Sequence, residues 1–174
     1  MEWLFVKQKL FMDSKEIIKQ QRLFYYSGKT RNVNFITDKL SNLKQKIIEN
    51  EESINNVLYR DLKKSKFESY ISEFGILISE IDSYIKNIKK WSKRKKVSSS
   101  LLNFPSSDYI YSEPYGAVLI IAPWNYPFQL SISPVIAAIA AGNTVVLKPS
   151  ELSENTGALI KKILSEVFDE KHLK

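Results

Sequence analysis

Two continuous apolar runs, "GAVLIIA" at 116–122 and "NTVVLKP" at 143–149, leave this chain few architectures. Neither alternates apolar with polar residues, so each reads as a strand covered on both faces. Between them "VIAAIAA" predicts a short helix with Ser133 as N-cap, Pro134 in its first turn and Gly142 at C′. After the second run, "SENTGALIKKILSEVF" puts Leu159, Ile163 and Val167 on one helical face. The order β-α-β-α predicts a parallel pair joined by a right-handed crossover.

Everything before this unit is patterned for helices, from Ser14 to about Trp91. Ile36, Leu40, Leu43 and Ile47 recur at spacings of four, three and four, and Ile54, Val57 and Leu58 follow on a second helix. A third, long helix carries Ile71, Phe74, Ile78, Ile81, Ile85 and Ile88 on one stripe, with Leu77, Tyr84 and Trp91 beside it. Fewer than three full heptads are present, so this stripe is expected to pack against a neighbouring domain rather than in a coiled coil. Gly28 suits a helix C′ position, and Asn32 or Asn34 the next N-cap. The serine run at 98–100 and Pro105 mark the break, after which "YIYSEP" at 109–114 alternates like an edge strand. The chain therefore divides into an N-terminal extension (1–13, with Met12 an alternative start), a helical region (14–97) and a partial α/β unit (98–174).

Composition narrows the chemistry. With no cysteine, the 174-residue chain has no disulfide, thiolate metal site or nucleophilic thiol, and its one histidine, His172, falls where the end of the chain is expected to fray. No metal site is expected. A cysteine-free, lysine-rich chain fits a cytoplasmic setting, and no apolar run approaches the roughly 20 residues of a bilayer span. The start has neither the sustained apolar core nor the cleavage site of a signal peptide. The formal charge of +7 is uneven: residues 1–100 carry 21 basic and 12 acidic side chains. The densest basic run, Lys89 to Lys96, reads either as a phosphate-binding patch or as a solvated helix end, and the second is favoured because cations complement the helix dipole there.

In a parallel sheet, ligands bind beyond the carboxyl ends of the strands. The first strand leads into "PWN" and the second into "KPSE". Asn125 is the oxyanion candidate, because a neutral amide stabilises developing negative charge without bringing a charge that must be desolvated. The alternative is an asparagine bonded to nearby backbone in a turn. Glu151 is placed to accept hydrogen bonds from ribose hydroxyls and Lys148 to donate to the same sugar or a phosphate on it. Equally, Ser150 or Ser153 with Glu151 or Glu154 could be a helix cap. No G-x-G-x-x-G loop follows either strand, so the usual dinucleotide phosphate loop is absent.

The segment "EPYGAVLIIAPWNYPFQLSISPVIAAIAAGNTVVLKPSELSENT", with the helical "RLFYYSGKTRNVNFITDKLSNLKQKIIENEESINNVLYRDLKKSKFESYISEFG" before it, resembles the aldehyde dehydrogenase superfamily in its class 3-like branch for fatty and aromatic aldehydes. The resemblance runs over about 20–174, somewhat over a third of the family's length. It implies an α/β fold: a helical region followed by an incomplete, Rossmann-like parallel β-α-β cofactor domain. It implies that Asn125 donates its amide to the oxygen of a thiohemiacetal, that Lys148 and Glu151, with Ser150 between them, hold the adenosine ribose of NAD or NADP, and that Ile121, Ala122, Pro123 and Trp124 line the cofactor cleft. The reaction it implies is oxidation of an aldehyde to a carboxylic acid through a cysteine thioester, with water activated by a glutamate.

The departure from the family pattern is the missing cysteine. The expectation is an N-terminal fragment, inactive alone, whose nucleophile and general base lie in segments beyond this sequence. Its exposed strand edges would then invite docking to the remainder or to a homologue. Family members are usually oligomeric. Two rivals remain: a non-catalytic nucleotide-binding or docking module, and a basic nucleic-acid binder. The latter is disfavoured because Trp91 is almost the only aromatic within the basic run.

Overall fold

The computed structural model describes residues 2–174, and their side chains except those of residues 2–13 and Asn103. The expected extension at 1–13, with its alternative start at Met12, lies outside the described side chains. The helices are α1 (Glu2–Tyr26), α2 (Val33–Glu49), α3 (Glu51–Leu62), α4 (Lys66–Ser69) and α5 (Gly75–Trp91); a ribbon of β1 (Lys95–Val97) and β2 (Asp108–Ile110) follows. Then come β3 (Ala117–Ile121), α6 (Gln129–Ala140), β4 (Thr144–Lys148) and α7 (Glu154–Val167).

The helical spacings translate directly into burial. Ile36, Leu40, Leu43 and Ile47 of α2 are buried, as are Ile54 and Leu58 of α3. They share one core with Ile132, Val135, Ile136 and Ile139 of α6 and Leu159, Ile163 and Val167 of α7. Gly28, at φ 77°, ends α1, and the Asn32 side chain accepts from the backbone N–H groups of Asn34 and Phe35 to start α2.

The α5 stripe is where periodicity misleads. Residues Tyr70–Phe74 form a π-helical turn between α4 and α5, and its extra residue rotates the face. Ile71, expected inside, is exposed, while the charged Glu73 is fully buried beside Phe74. Leu77, Ile81 and Ile88 then continue the buried face.

β3 and β4 pair in parallel, with Ala117 opposite Thr144 and Ile121 opposite Lys148. The sheet has a further member that the sequence pattern did not suggest. His172 O accepts from Val145 N, Lys174 N donates to Val145 O, and Leu147 N donates to Lys174 O, so the chain after α7 runs parallel to β4 on its other side. His172 is accordingly not frayed: it is 1% exposed, ringed by Phe24, Phe35 and Phe168. Burial, and next the charge of Lys39, lower its pKa to about 4.

Four other expectations are corrected. β3 is covered on one face only: Val118 and Ile120 meet the core, while Leu119 and Ile121 are 64% and 68% exposed. α6 begins at Gln129, four residues before Ser133, and Pro134 lies inside it; Ser133 instead donates to Glu80 of α5. The alternating segment at 109–114 contributes only its start, in an antiparallel ribbon with Lys95–Val97, so part of the stretch taken as helical is strand. The basic run is correspondingly split. Lys89 and Lys90 close α5, whereas Arg94 stacks 4.2 Å from the Tyr109 ring and donates to the Tyr111 hydroxyl. Gly142, by contrast, sits where expected after α6, at φ 88°, with Thr30 O 2.8 Å from where a Cβ would lie.

Candidate active site at the carboxyl ends of the parallel strands

The register sets the site. Because Ile121 lies opposite Lys148, and Ala122 N donates to Lys148 O (3.0 Å), the segments 121–124 and 148–151 leave the sheet side by side. Ala122 is buried under the turn, while Ile121, Pro123, Trp124 and Asn125 are exposed. Tyr126 holds φ at 48°, in the left-handed region that costs a non-glycine residue about 1–3 kcal/mol. Pro127 and Phe128 then plunge into the core and α6 begins. A strand that ends in a strained turn anchored by a buried phenylalanine holds its exposed amide on a short, stiff tether.

Lys148 and Glu151 form an ion pair (2.8 Å) whose side chains are 57% and 76% exposed. The hydrogen bond from Lys148 is the main reason the Glu151 carboxyl sits below the usual value. A pair this exposed adds little stability. Ser150 Oγ accepts from Leu152 N, closing a turn before α7. Neither Ser150 nor Glu151 caps the helix, and Ser153, at the N-cap position, makes no side-chain cap bond. The cap reading therefore holds in position, with Ser153 at the N-cap and Glu154 in the first turn, but not in the side-chain bond it implied.

What does cap α7 is Asp61, from the end of α3. It accepts from Thr156 N and Thr156 Oγ1 (both 2.8 Å) and from Asn155 Nδ2 (2.7 Å). Burial raises its pKa, but these hydrogen bonds outweigh that and hold the carboxyl below 3.8. The N-terminus of α6 is closed in the same way by Glu73, which accepts from Phe128 N (2.8 Å) and Gln129 N (3.2 Å). Its other oxygen accepts from Lys64 in a buried ion pair. Lys64 Nζ also lies 3.9 Å from the centre of the Tyr126 ring. These groups were not singled out from sequence. The available signal was a charged residue, Glu73, beside the apolar stripe of α5.

A helix N-terminus is a ready anion site, since unpaired N–H groups and the dipole both favour negative charge. Here both such ends are filled by the protein's own carboxylates. That agrees with the missing glycine-rich loop: the helices after β3 and β4 do not offer free N-termini to a pyrophosphate.

A parallel β-α-β-α-β unit with polar groups at its strand ends has a ligand crevice at that edge, and comparison with known proteins makes the family specific. The profile of the aldehyde dehydrogenase family matches residues 29–172. The chain is 44% identical over 168 residues to 4,4'-diaponeurosporen-aldehyde dehydrogenase of Staphylococcus aureus, covering 97% of this chain and 35% of that protein. It is 43% identical to aldehyde dehydrogenase family 3 member B2 of Mus musculus, over 90% of this chain and 33% of that one. Among solved structures it is similar to the substrate-bound state of Staphylococcus aureus AldH, with a TM-score of 0.90 at 42% identity over 92% of this chain and 35% of that chain. It is also similar to Staphylococcus aureus betaine aldehyde dehydrogenase in complex with NAD+, with a TM-score of 0.81 at 25% identity over 93% of this chain and 32% of that chain. The chain belongs to the aldehyde dehydrogenase family. It spans about a third of the length of these relatives.

Proposed function

We propose that this chain provides the cofactor-ribose and oxyanion-binding part of an NAD(P)-dependent aldehyde dehydrogenase. The observation that carries the reading is the register of Ile121 against Lys148, which brings the Asn125 turn and the Lys148–Glu151 pair to one edge of the sheet. Lys148 and Glu151 are exposed and bonded mainly to each other, so a ribose diol could exchange with that contact: Glu151 accepts from the hydroxyls and Lys148 donates to the sugar oxygens. Ser150 shapes the turn between them, and Ile121, Ala122, Pro123 and Trp124 form the apolar side of the cleft. The pyrophosphate is bound away from the N-termini of α6 and α7, which Glu73 and Asp61 occupy.

When bound, NAD or NADP supplies a hydride acceptor. In this reading Asn125 donates its side-chain amide to the oxyanion that forms when a thiolate adds to the aldehyde carbonyl, and so lowers the barrier to that addition. The sequence has no cysteine, so the thiolate comes from residues outside it, and the chain alone is expected to turn over no aldehyde. The division near residue 97, a cytoplasmic setting and an oligomeric assembly belong to the same reading. A non-catalytic docking role is the second reading, favoured by the exposed Leu119 and Ile121.

Calorimetric titration of the purified chain tests the proposal. Binding of NAD+ or NADP+ that is weakened by Glu151→Ala and kept in Asn125→Ala supports it; equal loss in both, or none in Glu151→Ala, defeats the residue assignment. Aldehyde-dependent NADH formation by the chain alone would defeat the claim of inactivity.

A further inference from the structure

The buried pair of Lys64 and Glu73 is an expensive feature for a fold to keep. Two charges removed from water need good geometry merely to offset desolvation, and well-packed apolar side chains often stabilise as well. Its placement suggests what else it does. Glu73 bonds Lys64 through one oxygen and Phe128 N and Gln129 N through the other. Lys64 in turn faces the Tyr126 ring at 3.9 Å. Tyr126 adjoins Asn125 and holds the left-handed φ of 48°. The pair therefore grips both limbs of the turn, one at the ring of Tyr126 and the other at the first amides of α6. Local sequence supports this geometry. Lys63, at φ 59°, ends α3 so that Lys64 turns inward, and the π turn at Tyr70–Phe74 brings Glu73 to meet it.

We infer that Lys64 and Glu73 are positioning residues that clamp Tyr126 and the start of α6, and so fix the direction in which the Asn125 amide leaves the turn. The inference rests on the role proposed for Asn125, because a donor stabilises an oxyanion only when it is already in place as the charge develops. A cation near an aromatic face attracts the ring by about 0.5–2 kcal/mol, comparable to the strain of the left-handed turn it would help hold.

The first test uses the chain itself, by NMR. Tyr126→Leu removes the ring but leaves the buried pair intact. It is expected to increase the fast motion of Asn125, seen as a lower backbone heteronuclear NOE, while the signals of Leu40 and Leu43 stay put. Tyr126→Phe keeps the ring face and is expected to keep Asn125 ordered. The volume-conserving double variant Lys64→Met/Glu73→Gln should loosen Asn125 as Tyr126→Leu does, and the two sets of changes should not add. Unchanged order of Asn125 in Tyr126→Leu overturns the inference, as does equal loosening in Tyr126→Phe. If the double variant fails to fold, the two Tyr126 variants decide alone.

The second test grafts residues 29–172 in place of the matching segment of the Staphylococcus aureus 4,4'-diaponeurosporen-aldehyde dehydrogenase. There Tyr126→Leu is expected to lower kcat by about tenfold with the KM for NAD+ unchanged, and Tyr126→Phe to restore it. A change in KM alone, or none in kcat, counts against the clamp. An inactive parent graft would count against the proposed function, and the NMR result would still decide the clamp.

Discussion

The helices that follow β3 and β4 both borrow their N-terminal cap from the helical region, yet the two caps differ in kind. At α6, Glu73 is fully buried, shares its carboxylate with Lys64 and reaches the site turn through that lysine. At α7, Asp61 is part-exposed, bonds only neutral donors and ends there. A carboxylate that only docks a helix can sit near water and bond whatever N–H groups it meets. Glu73, which is paired with Lys64, has a second charge inside beside it, with the desolvation this entails. Each helix is thereby tied to the helical region by its N-terminus as well as by its apolar face, which is why the sheet's covered side and the bundle share one core.

The largest expected effect breaks the α6 cap. Glu73→Ala strands the Lys64 charge and two helix amides, and should lower the free energy of unfolding by about 3–5 kcal/mol in urea titration. A loss no greater than that of Asp61→Ala would erase the distinction between the caps. Next comes acid, which reads the far end of α7. His172 is depressed to about 4 from 6.5, so the unfolded chain takes up its proton first as pH falls. Stability is then full above about pH 6.5 and declines down to about pH 4, by roughly 3 kcal/mol in all. His172→Phe should flatten that slope in a pH series of thermal melts; a slope unchanged by the substitution would mean the ring is not held neutral. Asp61→Ala should cost about 2 kcal/mol, and Asp61→Asn should recover part of it, since one oxygen still accepts. The Asp61 carboxyl is held below 3.8, so its contribution persists through the His172 window and is lost only as pH falls further, through its folded pKa. Smallest of all, Glu151→Ala should leave the urea midpoint where it is, because both side chains of the pair are more than half exposed. A measurable drop would show that the Lys148 pair has a structural duty.

The helical region was largely legible because burial of Leu40, Leu43, Ile47, Ile54 and Leu58 follows from spacing alone. The parallel pair was legible for a related reason: long apolar runs of strand length separated by a helix admit few topologies. The resemblance carried by the whole segment from "EPYG" to "SENT" and the helical stretch before it named the family, and the register of Ile121 against Lys148 brings "PWN" and "KPSE" to one edge of the sheet. The misses share a cause. Ser133 and Pro134 look like a helix start, but the signal that starts α6 is Glu73, more than fifty residues away. Ile71 fits the α5 stripe until a π turn shifts the phase. His172 looks like a chain end until aromatic rings from three segments close around it.

Sequence alone therefore determined the main helices α2, α3 and α7, the strands β3 and β4 with their parallel pairing, and the residues offered at the strand ends, since each follows from local periodicity or from rules of chain connection. Tertiary structure decided which groups cap which helix, which charges go inside, and that the chain past α7 joins the sheet beside β4. Those outcomes depend on desolvation and on donors and acceptors that meet only after folding, from positions as far apart as Asp61 and Thr156.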